Sequence, residues 1–256
     1  MLGCSIFLGN DITSSTEAYI NQMIQIGCIG IFTSAHIPED DATLYRDRLQ
    51  KLGNLAKKYH QTLMVDISSD GLKRMNISLT EEGLSTLLDW GITGIRMDYG
   101  ISIKEIAKVS QVMTVGLNAS TLTENEFDEL KKYHANVQNL EFWHNYYPKK
   151  ETGLDPKYFY QINQWIKSLG GKIIAFAPRD NILRKPIYMS LPTLEHHRLI
   201  HPLASIIDLI NNYFVDQVYI GDEGIQNCTF NQIDKYLNED IIELYADIWV
   251  HEYRDL

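Results

Sequence analysis

The chain has 256 residues, of which 45% are hydrophobic and 22% charged, and its formal net charge is −10 at pH 7. This composition is typical of a globular protein and excludes an intrinsically disordered chain. The acidic balance disfavours nucleic acid as a partner, no apolar run approaches the roughly 18 residues of a membrane span, and no secretory signal is recognisable.

Short β-branched and apolar runs recur along the whole chain. The predicted strands cover residues 3–9, 29–34, 62–68, 94–98, 113–118, 137–143, 172–178 and 217–222. Runs of this length without strict polar alternation are typical of strands that are buried on both faces.

Amphipathic segments lie between these runs and carry helix signals at their ends. The predicted helices cover residues 14–27, 43–60, 80–91, 123–134 and 155–171. Ser15 or Thr16 is the expected cap of the first, Thr80 of the third, and Asp155 precedes a proline at the first position of the fifth.

About eight strands alternating with helices predict an α/β fold, a (β/α)8 TIM barrel over residues 1–225. A doubly wound open sheet is the competing architecture, but the first strand is not followed by a GxGxxG turn. Residues 226–256 contain no complete unit, and we expect them to be an exit segment leading toward a C-terminal β-domain that this sequence lacks or truncates.

Polar residues stand at the carboxyl ends of the predicted strands, where TIM barrels place their active sites. They are Asp66, Arg96, Asp98, Asn118, Glu141, His144, Asn145, Arg179, Asp180, Asp222 and Glu223. So many acceptors suit the hydroxyl groups of a sugar. Asp66 and Asp98 are equally well explained as caps, whereas Glu141 lies between apolar neighbours, where a carboxylate must be paired or protonated.

An irregular basic stretch follows the seventh predicted strand. Within residues 184–202 it contains Arg184, Lys185, Glu195, His196, His197, Arg198 and His201. Barrels of this type commonly bind phosphate after strand seven or eight, and the forked donors of Arg184 and Arg198 suit phosphate or carboxylate. The stretch predicts a site for a small anion, with a solvated basic face as the alternative.

No metal or other cofactor is predicted. His196 and His197 are adjacent, so on a helix they would point about 100° apart and could not readily share one ion, and no HExxH pattern is present. Three scattered cysteines form neither a disulfide framework nor a zinc pattern and fit a reducing cytoplasm. The absence of a GxSxG elbow disfavours a serine nucleophile.

Several segments together resemble the bacterial 6-phospho-N-acetylmuramidase family, in order and with matching spacing from Gly3 to about Asp222. They are IRMDYG, GLNAST, NYYPKKETGLD, FAPRDNILRKPIYMSLPTLEHHR and VYIGD. The resemblance implies a TIM barrel followed by a smaller cyclophilin-like β-domain. It also implies cytoplasmic hydrolysis of the β-1,4 bond between 6-phospho-N-acetylmuramic acid and N-acetylglucosamine during recycling of cell-wall fragments.

This phosphorylated amino-sugar disaccharide carries a phosphate and a lactyl carboxylate. We expect the substrate to be bound by Asp66, Arg96, Tyr99, Asn118, Asn145, Arg184, Glu195, His197 and Arg198. Arg179, Lys185 and Ser190 depart from glycines that are usual in the family, and they add bulk near the proposed ligand loop.

Glycoside cleavage usually needs two carboxyl groups. By analogy with other barrel glycosidases we expect Asp98 to be the acid, with Glu141 or Asp180 as its partner and Asp222 in reserve. Their separation, about 5 Å for retention or roughly 6.5–9.5 Å for inversion, does not follow from sequence. The 2-acetamido group of the substrate is an alternative nucleophile.

Two other functions stay open at this level. One is a different TIM-barrel sugar-phosphate enzyme, such as an aldolase or isomerase, although the predicted strand interiors contain no Schiff-base lysine. The other is a non-catalytic sugar-phosphate binding protein. The sequence leaves the oligomeric state open, a homo-oligomer included.

Overall fold

The computed structural model describes residues 1–35, 42–97, 100–181, 183 and 188–246. Eight parallel strands close into a barrel in chain order, since β1 pairs with both β2 and β8. The strands are β1 Leu2–Ser5, β2 Cys28–Ser34, β3 Thr62–Ile67, β4 Gly94–Met97, β5 Thr114–Asn118, β6 Leu140–Trp143, β7 Lys172–Ala177 and β8 Gln217–Ile220. The predicted (β/α)8 TIM barrel is confirmed.

Helices pack around the barrel and connect successive strands. Those in the described ranges are α1 Ser14–Gln25, α2 Tyr45–Lys58, α3 Ser69–Arg74, α4 Glu81–Asp89, α5 Ile103–Val109, α6 Glu124–Lys132, α7 Pro156–Ser168, α8 Pro202–Asn212 and α9 Asn227–Glu239. None of them is long and apolar enough to cross a membrane.

Side-chain caps fix several of these helix starts. Thr80 accepts from the amide of Gly83, and Asp155 accepts from the amides of Lys157 and Tyr158, as predicted. The first helix is capped by Thr13 rather than by Ser15 or Thr16. The α1 cap therefore lies earlier in the chain than expected, on a residue that forms a reciprocal capping box.

Several elements differ from the sequence-based expectation. Helices α3, α5, α8 and α9 lie outside the predicted helical segments, although Ser102 and Glu105 form a capping box at the start of α5. The predicted strand over residues 137–143 is divided, because Asn136 caps a 3₁₀ turn at Val137–Asn139 and β6 begins only at Leu140. The later start of β6 decides where its polar residues lie.

The barrel has an inner and an outer hydrophobic layer. The outer layer fills the space between strands and helices, and the inner cluster consists of Phe32, Met64, Trp143, Ile174, Phe176 and Tyr219. Gly3 leaves room for the ring of Tyr219, with which a Cβ at this position would collide. The interior is therefore a packed core, and a ligand can enter only at an end of the barrel.

Helix α9 follows β8 and buries Phe230 and Ile233 in the outer layer. Packing of this kind attaches the helix to the barrel. The division at residues 225 and 226 into a barrel and an exit segment stays a prediction, and residues 247–256 lie outside the described part of the chain.

Candidate functional site

A cavity of about 220 Å³ opens at the carboxyl ends of the strands. It is lined by Phe32, Asp66, Arg96, His144, Asn145, Tyr146, Tyr147 and Phe176. Three of these residues, Asp66, Arg96 and Asn145, were expected from sequence to bind substrate, and the structure brings them together.

Asp66 and Arg96 form a buried ion pair at the base of this cavity. They are register partners on the neighbouring strands β3 and β4, and Nη1 of Arg96 lies 2.9 Å from Oδ1 of Asp66. The two side chains are only 4% and 5% exposed. The pair places a buried carboxyl group and a buried guanidinium side by side at the cavity.

Asn145 completes the polar cluster from the loop after β6. Its Oδ1 accepts a hydrogen bond from Nη2 of Arg96, and its backbone amide donates to Oγ of Ser120 at 3.1 Å. Its carbonyl accepts from Oγ1 of Thr193, which itself follows β7. Strand β4 and the loops after β5 and β7 therefore fix the position of Asn145.

His144 supports this arrangement from behind. Its Nε2 lies 2.6 Å from Oδ1 of Asn163, and its Nδ1 lies 3.3 Å from Oγ of Ser120. Complete burial lowers the pKa of His144 to about 3, so the ring is neutral at physiological pH and acts as a fixed hydrogen-bonding group.

Aromatic rings form the remaining wall. The ring of Tyr146 lies 6.0 Å from Phe32 and 5.3 Å from Phe176, in both cases edge to face. Sequence reasoning missed these residues as site candidates. The available signal was that Phe32 and Phe176 lie near the carboxyl ends of their strands and that two tyrosines, Tyr146 and Tyr147, lie in the loop after β6.

A second cavity of about 300 Å³ lies at the same end of the barrel, after β1 and β8. Glu223 lines it and accepts a hydrogen bond from the amide of Phe7. The neighbouring Asp222 is buried, with Oδ2 3.3 Å from Nε of Arg179. Asp222 is not among the residues that line the cavity with Asp66 and Arg96.

The structure places Glu141 at the opposite end of the barrel from the cavity. It is the second residue of β6 and pairs with Lys172, the first residue of β7, at 2.7 Å. Trp143 donates to its other oxygen at 2.9 Å. Four residues of extended chain, about 13 Å, separate Glu141 from Asn145. The catalytic role expected for Glu141 does not fit this position.

Asp180 is used as a helix cap. Its Oδ1 accepts from the backbone amide of Gln226 at 2.9 Å, and its Oδ2 accepts from Oγ1 of Thr229 in the first turn of α9. Both carboxylate oxygens are thus occupied at the start of α9, which accounts for the residue without the catalytic role expected from sequence.

Arg198 and Glu195 form a clasp between two loops. Nε and Nη2 of Arg198 each lie 2.7 Å from a carboxylate oxygen of Glu195. The other N–H groups donate to the carbonyls of Tyr147, Lys149 and Ser190. All five donors are therefore directed at protein acceptors, which leaves none for the anion that Arg198 was expected to bind.

Glu195 and His197 are likewise engaged within the protein. Glu195 accepts from the amides of Glu151 and Gly153, and its pKa is lowered to about 2, chiefly by Arg198. His197 is buried and lies 2.7 Å from Oδ2 of Asp208 on α8. Neither residue lines the cavity at the mouth.

The remaining expected residues divide into two groups. Asn118 accepts from the amide of Ser120 at 3.1 Å, which is the turn chemistry of an asparagine after a strand. Asp98, Tyr99 and Arg184 lie outside the described residues, so their expected roles stay predictions.

Comparison with known proteins agrees with the sequence resemblance. The family model of the N-terminal region of 6-phospho-N-acetylmuramidase matches residues 2–235. No curated protein matches the chain.

Solved structures show the same fold. A conserved protein of unknown function from Enterococcus faecalis matches with a TM-score of 0.88 and 45% identity over 94% of this chain and 67% of its own. An uncharacterised protein from B. cereus matches with a TM-score of 0.75 and 24% identity over 93% of this chain and 64% of its own. This chain thus spans about two thirds of the length of these proteins.

A more distant match shows only that the barrel is shared. Phospho-2-dehydro-3-deoxyheptonate aldolase from Thermotoga maritima has a TM-score of 0.56 and 13% identity, over 93% of this chain and 68% of its own. The family match extends over nearly the whole described barrel. The chain therefore belongs to the 6-phospho-N-acetylmuramidase family, whose N-terminal region it matches.

Proposed function

We propose that this protein is a glycosidase that hydrolyses the bond between 6-phospho-N-acetylmuramic acid and N-acetylglucosamine at the cavity in the barrel mouth. The observation that carries the proposal is the cluster of Asp66, Arg96 and Asn145 beside aromatic rings, in a chain of this family. Carboxylate, guanidinium and amide groups pair with sugar hydroxyls, and aromatic rings cover the apolar face of a sugar ring.

The volume of the cavity limits what it holds. About 220 Å³ is below the roughly 300–1,000 Å³ typical of ligand pockets. We therefore assign one sugar residue to the cavity and place the other outside it, toward the loop that carries Tyr147 and Lys149. Both lysines of this loop, Lys149 and Lys150, are exposed and available to an anionic substituent of the substrate.

The two carboxyl groups of the reaction need different protonation states. A neighbouring guanidinium favours the charged form of a carboxyl group, so we assign Asp66, the partner of Arg96, the role of the carboxylate that acts as nucleophile, as base or as a partner of the 2-acetamido group. The proton donor must be another group. Asp98 follows β4 by one residue and remains our candidate for the acid.

The test is hydrolysis of a phosphorylated muramyl disaccharide, followed by the release of reducing sugar. We expect Asp66→Asn and Asp98→Asn each to lower kcat/KM by about 100-fold or more, because each removes a group that takes part in proton transfer or charge stabilisation. Asp70→Asn is the matched control. Asp70 is an exposed residue of α3, so this substitution should leave kcat/KM unchanged.

The outcomes separate the alternatives. Wild-type rates in Asp66→Asn would remove this residue from the mechanism. Binding of the disaccharide without product would instead identify a sugar-phosphate binding protein. Equal hydrolysis of the unphosphorylated disaccharide would show that the phosphate is not recognised. We further propose that the reaction belongs to cytoplasmic recycling of cell-wall fragments, as the family resemblance implies.

A further inference from the structure

Three side chains with metal-ligating atoms converge outside the mouth cavity, between a 3₁₀ turn and α8. His196 and His197 belong to the turn Glu195–His197, and Asp208 belongs to α8. Nε2 of His196 and Nε2 of His197 lie 3.2 Å and 2.7 Å from the same oxygen, Oδ2 of Asp208. One ligand atom from each side chain lies within 4.8 Å of the other two.

The local backbone explains why two adjacent histidines can share a partner. The expectation that they diverge assumed an α-helix, in which neighbours point about 100° apart. The chain instead makes a single 3₁₀ turn and leaves it at Arg198. The two imidazole rings are consequently 4.3 Å apart between centroids, at an interplanar angle of 66°, and both face α8.

The donor set suits one class of cation. Two imidazole nitrogens and one carboxylate oxygen are ligands of Zn²⁺ and similar transition-metal ions, whereas Mg²⁺ and Ca²⁺ prefer oxygen alone. Bonds of about 2.0–2.1 Å in tetrahedral geometry place ligand atoms about 3.3–3.4 Å apart. The observed spacings therefore require shifts of a few tenths of an ångström for Asp208 and a rotation of the exposed His196 ring.

The surroundings prepare the ligands for binding. His197 is buried and its Nε2 faces Oδ2 of Asp208 at 2.7 Å, so the ring is held next to the carboxylate. Nδ2 of Asn212 donates to Oδ1 of Asp208 at 2.6 Å, which orients the carboxylate with Oδ2 toward the histidines. His196 has a side chain that is 43% exposed, which gives an ion and a water ligand a path to the site.

We propose that His196, His197 and Asp208 bind a transition-metal dication of the Zn²⁺ class, with three protein ligands and one open position. The bound ion joins the loop after β7 to α8. This loop also carries the Glu195–Arg198 clasp, so the metal stabilises the same loop that supports the barrel mouth. The site does not depend on the proposed glycosidase activity.

The expected affinity is moderate. A histidine ligand usually donates its second ring nitrogen to an acceptor, and loss of such a partner costs about 10- to 100-fold in affinity. Nδ1 of the buried His197 has no hydrogen-bond partner among the residues that the structure describes. We therefore expect dissociation constants in the micromolar range rather than the nanomolar range.

The test uses protein without a histidine tag and with Cys228→Ser, which removes an exposed thiol that could bind metal independently. Co²⁺ is titrated while its visible absorption is recorded, and Zn²⁺ is titrated by calorimetry. We expect one site per chain, an absorption band of four-coordinate Co²⁺, and a Tm raised by about 5–10 °C when Zn²⁺ exceeds its Kd by 100-fold.

The ligand variants are His196→Ala and Asp208→Asn, and His134→Asn is the control on a histidine at the end of α6. Each ligand variant should weaken Zn²⁺ binding at least 10-fold, while the control should bind as tightly as the parent. Unfolding in the presence of EDTA shows whether a variant is folded before its binding is compared. Equal Zn²⁺ affinity in the parent and in Asp208→Asn, or no Zn²⁺ binding by the parent, would overturn the proposal.

Discussion

His144 shows how one buried residue fixes the site through its hydrogen bonds. The amide of Asn163 donates to the carbonyl of Tyr213, so its Oδ1 is left to accept from Nε2–H of His144. Nδ1 of His144 then accepts a hydrogen bond from the hydroxyl of Ser120. The oxygen of that hydroxyl accepts a hydrogen bond from the backbone amide of Asn145. This order of donors requires a neutral ring, and burial supplies the reason why the ring stays neutral.

The protonation of His144 predicts how stability depends on pH. Its pKa falls from 6.5 in the unfolded chain to about 3 in the folded protein. Below pH 6.5 the unfolded chain therefore binds a proton that the folded protein does not, and stability decreases as pH falls from 6.5 toward 3. The stabilising effect of the neutral ring is fully present above pH 6.5.

We predict that His144→Gln reduces this dependence. Between pH 6 and pH 5 the free energy of unfolding of the wild type should fall by about 1 kcal/mol more than that of the variant. Urea unfolding curves at the two pH values measure this difference, and comparing slopes cancels any general loss of stability in the variant. Parallel pH dependence in the two proteins would contradict the buried neutral ring.

Sequence alone predicted that some polar residues meet at the barrel mouth but could not show what each side chain contacts. Asp66, Arg96 and Asn145 were correctly expected to lie close together, because the carboxyl ends of parallel strands meet at one edge of a barrel. Arg198 could not be interpreted in this way. Two of its acceptors are carbonyls of a loop about fifty residues earlier in the chain, and no local pattern shows those contacts.

The Glu195–Arg198 clasp holds together the loops that follow β6 and β7. The Arg198 side chain is 5% exposed and bonds to both oxygens of Glu195 and to carbonyls on either side. The amide of Tyr147 adds a hydrogen bond to the carbonyl of Pro192 at 3.0 Å. Tyr146 and Tyr147 at the cavity therefore owe their positions to this pair of loops.

We predict that Arg198→Lys lowers the free energy of unfolding by about 3 kcal/mol, because lysine cannot reach both oxygens of Glu195 and three carbonyls, and buried acceptors lose their donors. Urea unfolding measures the change, and limited proteolysis should show faster cleavage within residues 145–154. Lys73→Gln is the matched control. Its pair with Asp70 has the same i,i+3 spacing but is 78% exposed on both sides, so the unfolding midpoint should not move.

Local signals predicted some of the elements and missed others. Thr80 and Asp155 cap helices as expected, because a cap depends on residues within one turn, whereas the capping box of Ser102 and Glu105 was missed. The strand over residues 137–143 was predicted too long, since apolar composition does not distinguish a 3₁₀ turn from extended chain. That difference moved Glu141 from the expected mouth to the far end of the barrel.

Paired polar side chains lie at both ends of the barrel. An aromatic cluster that includes Phe32, Trp143 and Tyr219 fills the interior between them. At one end, Asp66 and Arg96 border a cavity, whereas at the other end Glu141 and Lys172 form a pair that borders neither mouth cavity. In such barrels the carboxyl-terminal end carries function and the amino-terminal end carries stability.

This separation predicts opposite effects for two similar substitutions. Glu141→Gln keeps the size of the side chain but removes the charge that pairs with Lys172, and we expect the free energy of unfolding to fall by about 1–2 kcal/mol. In the same variant kcat/KM for the phosphorylated disaccharide should stay within about twofold of the wild type, because the barrel core separates Glu141 from the cavity. Asp66→Asn should act mainly on catalysis, and its loss in kcat/KM should be much larger than that of Glu141→Gln. Urea unfolding and the reducing-sugar assay on the same protein samples measure both quantities. A 100-fold loss of activity in Glu141→Gln would contradict the prediction, because it would place the chemistry at the amino-terminal end of the barrel.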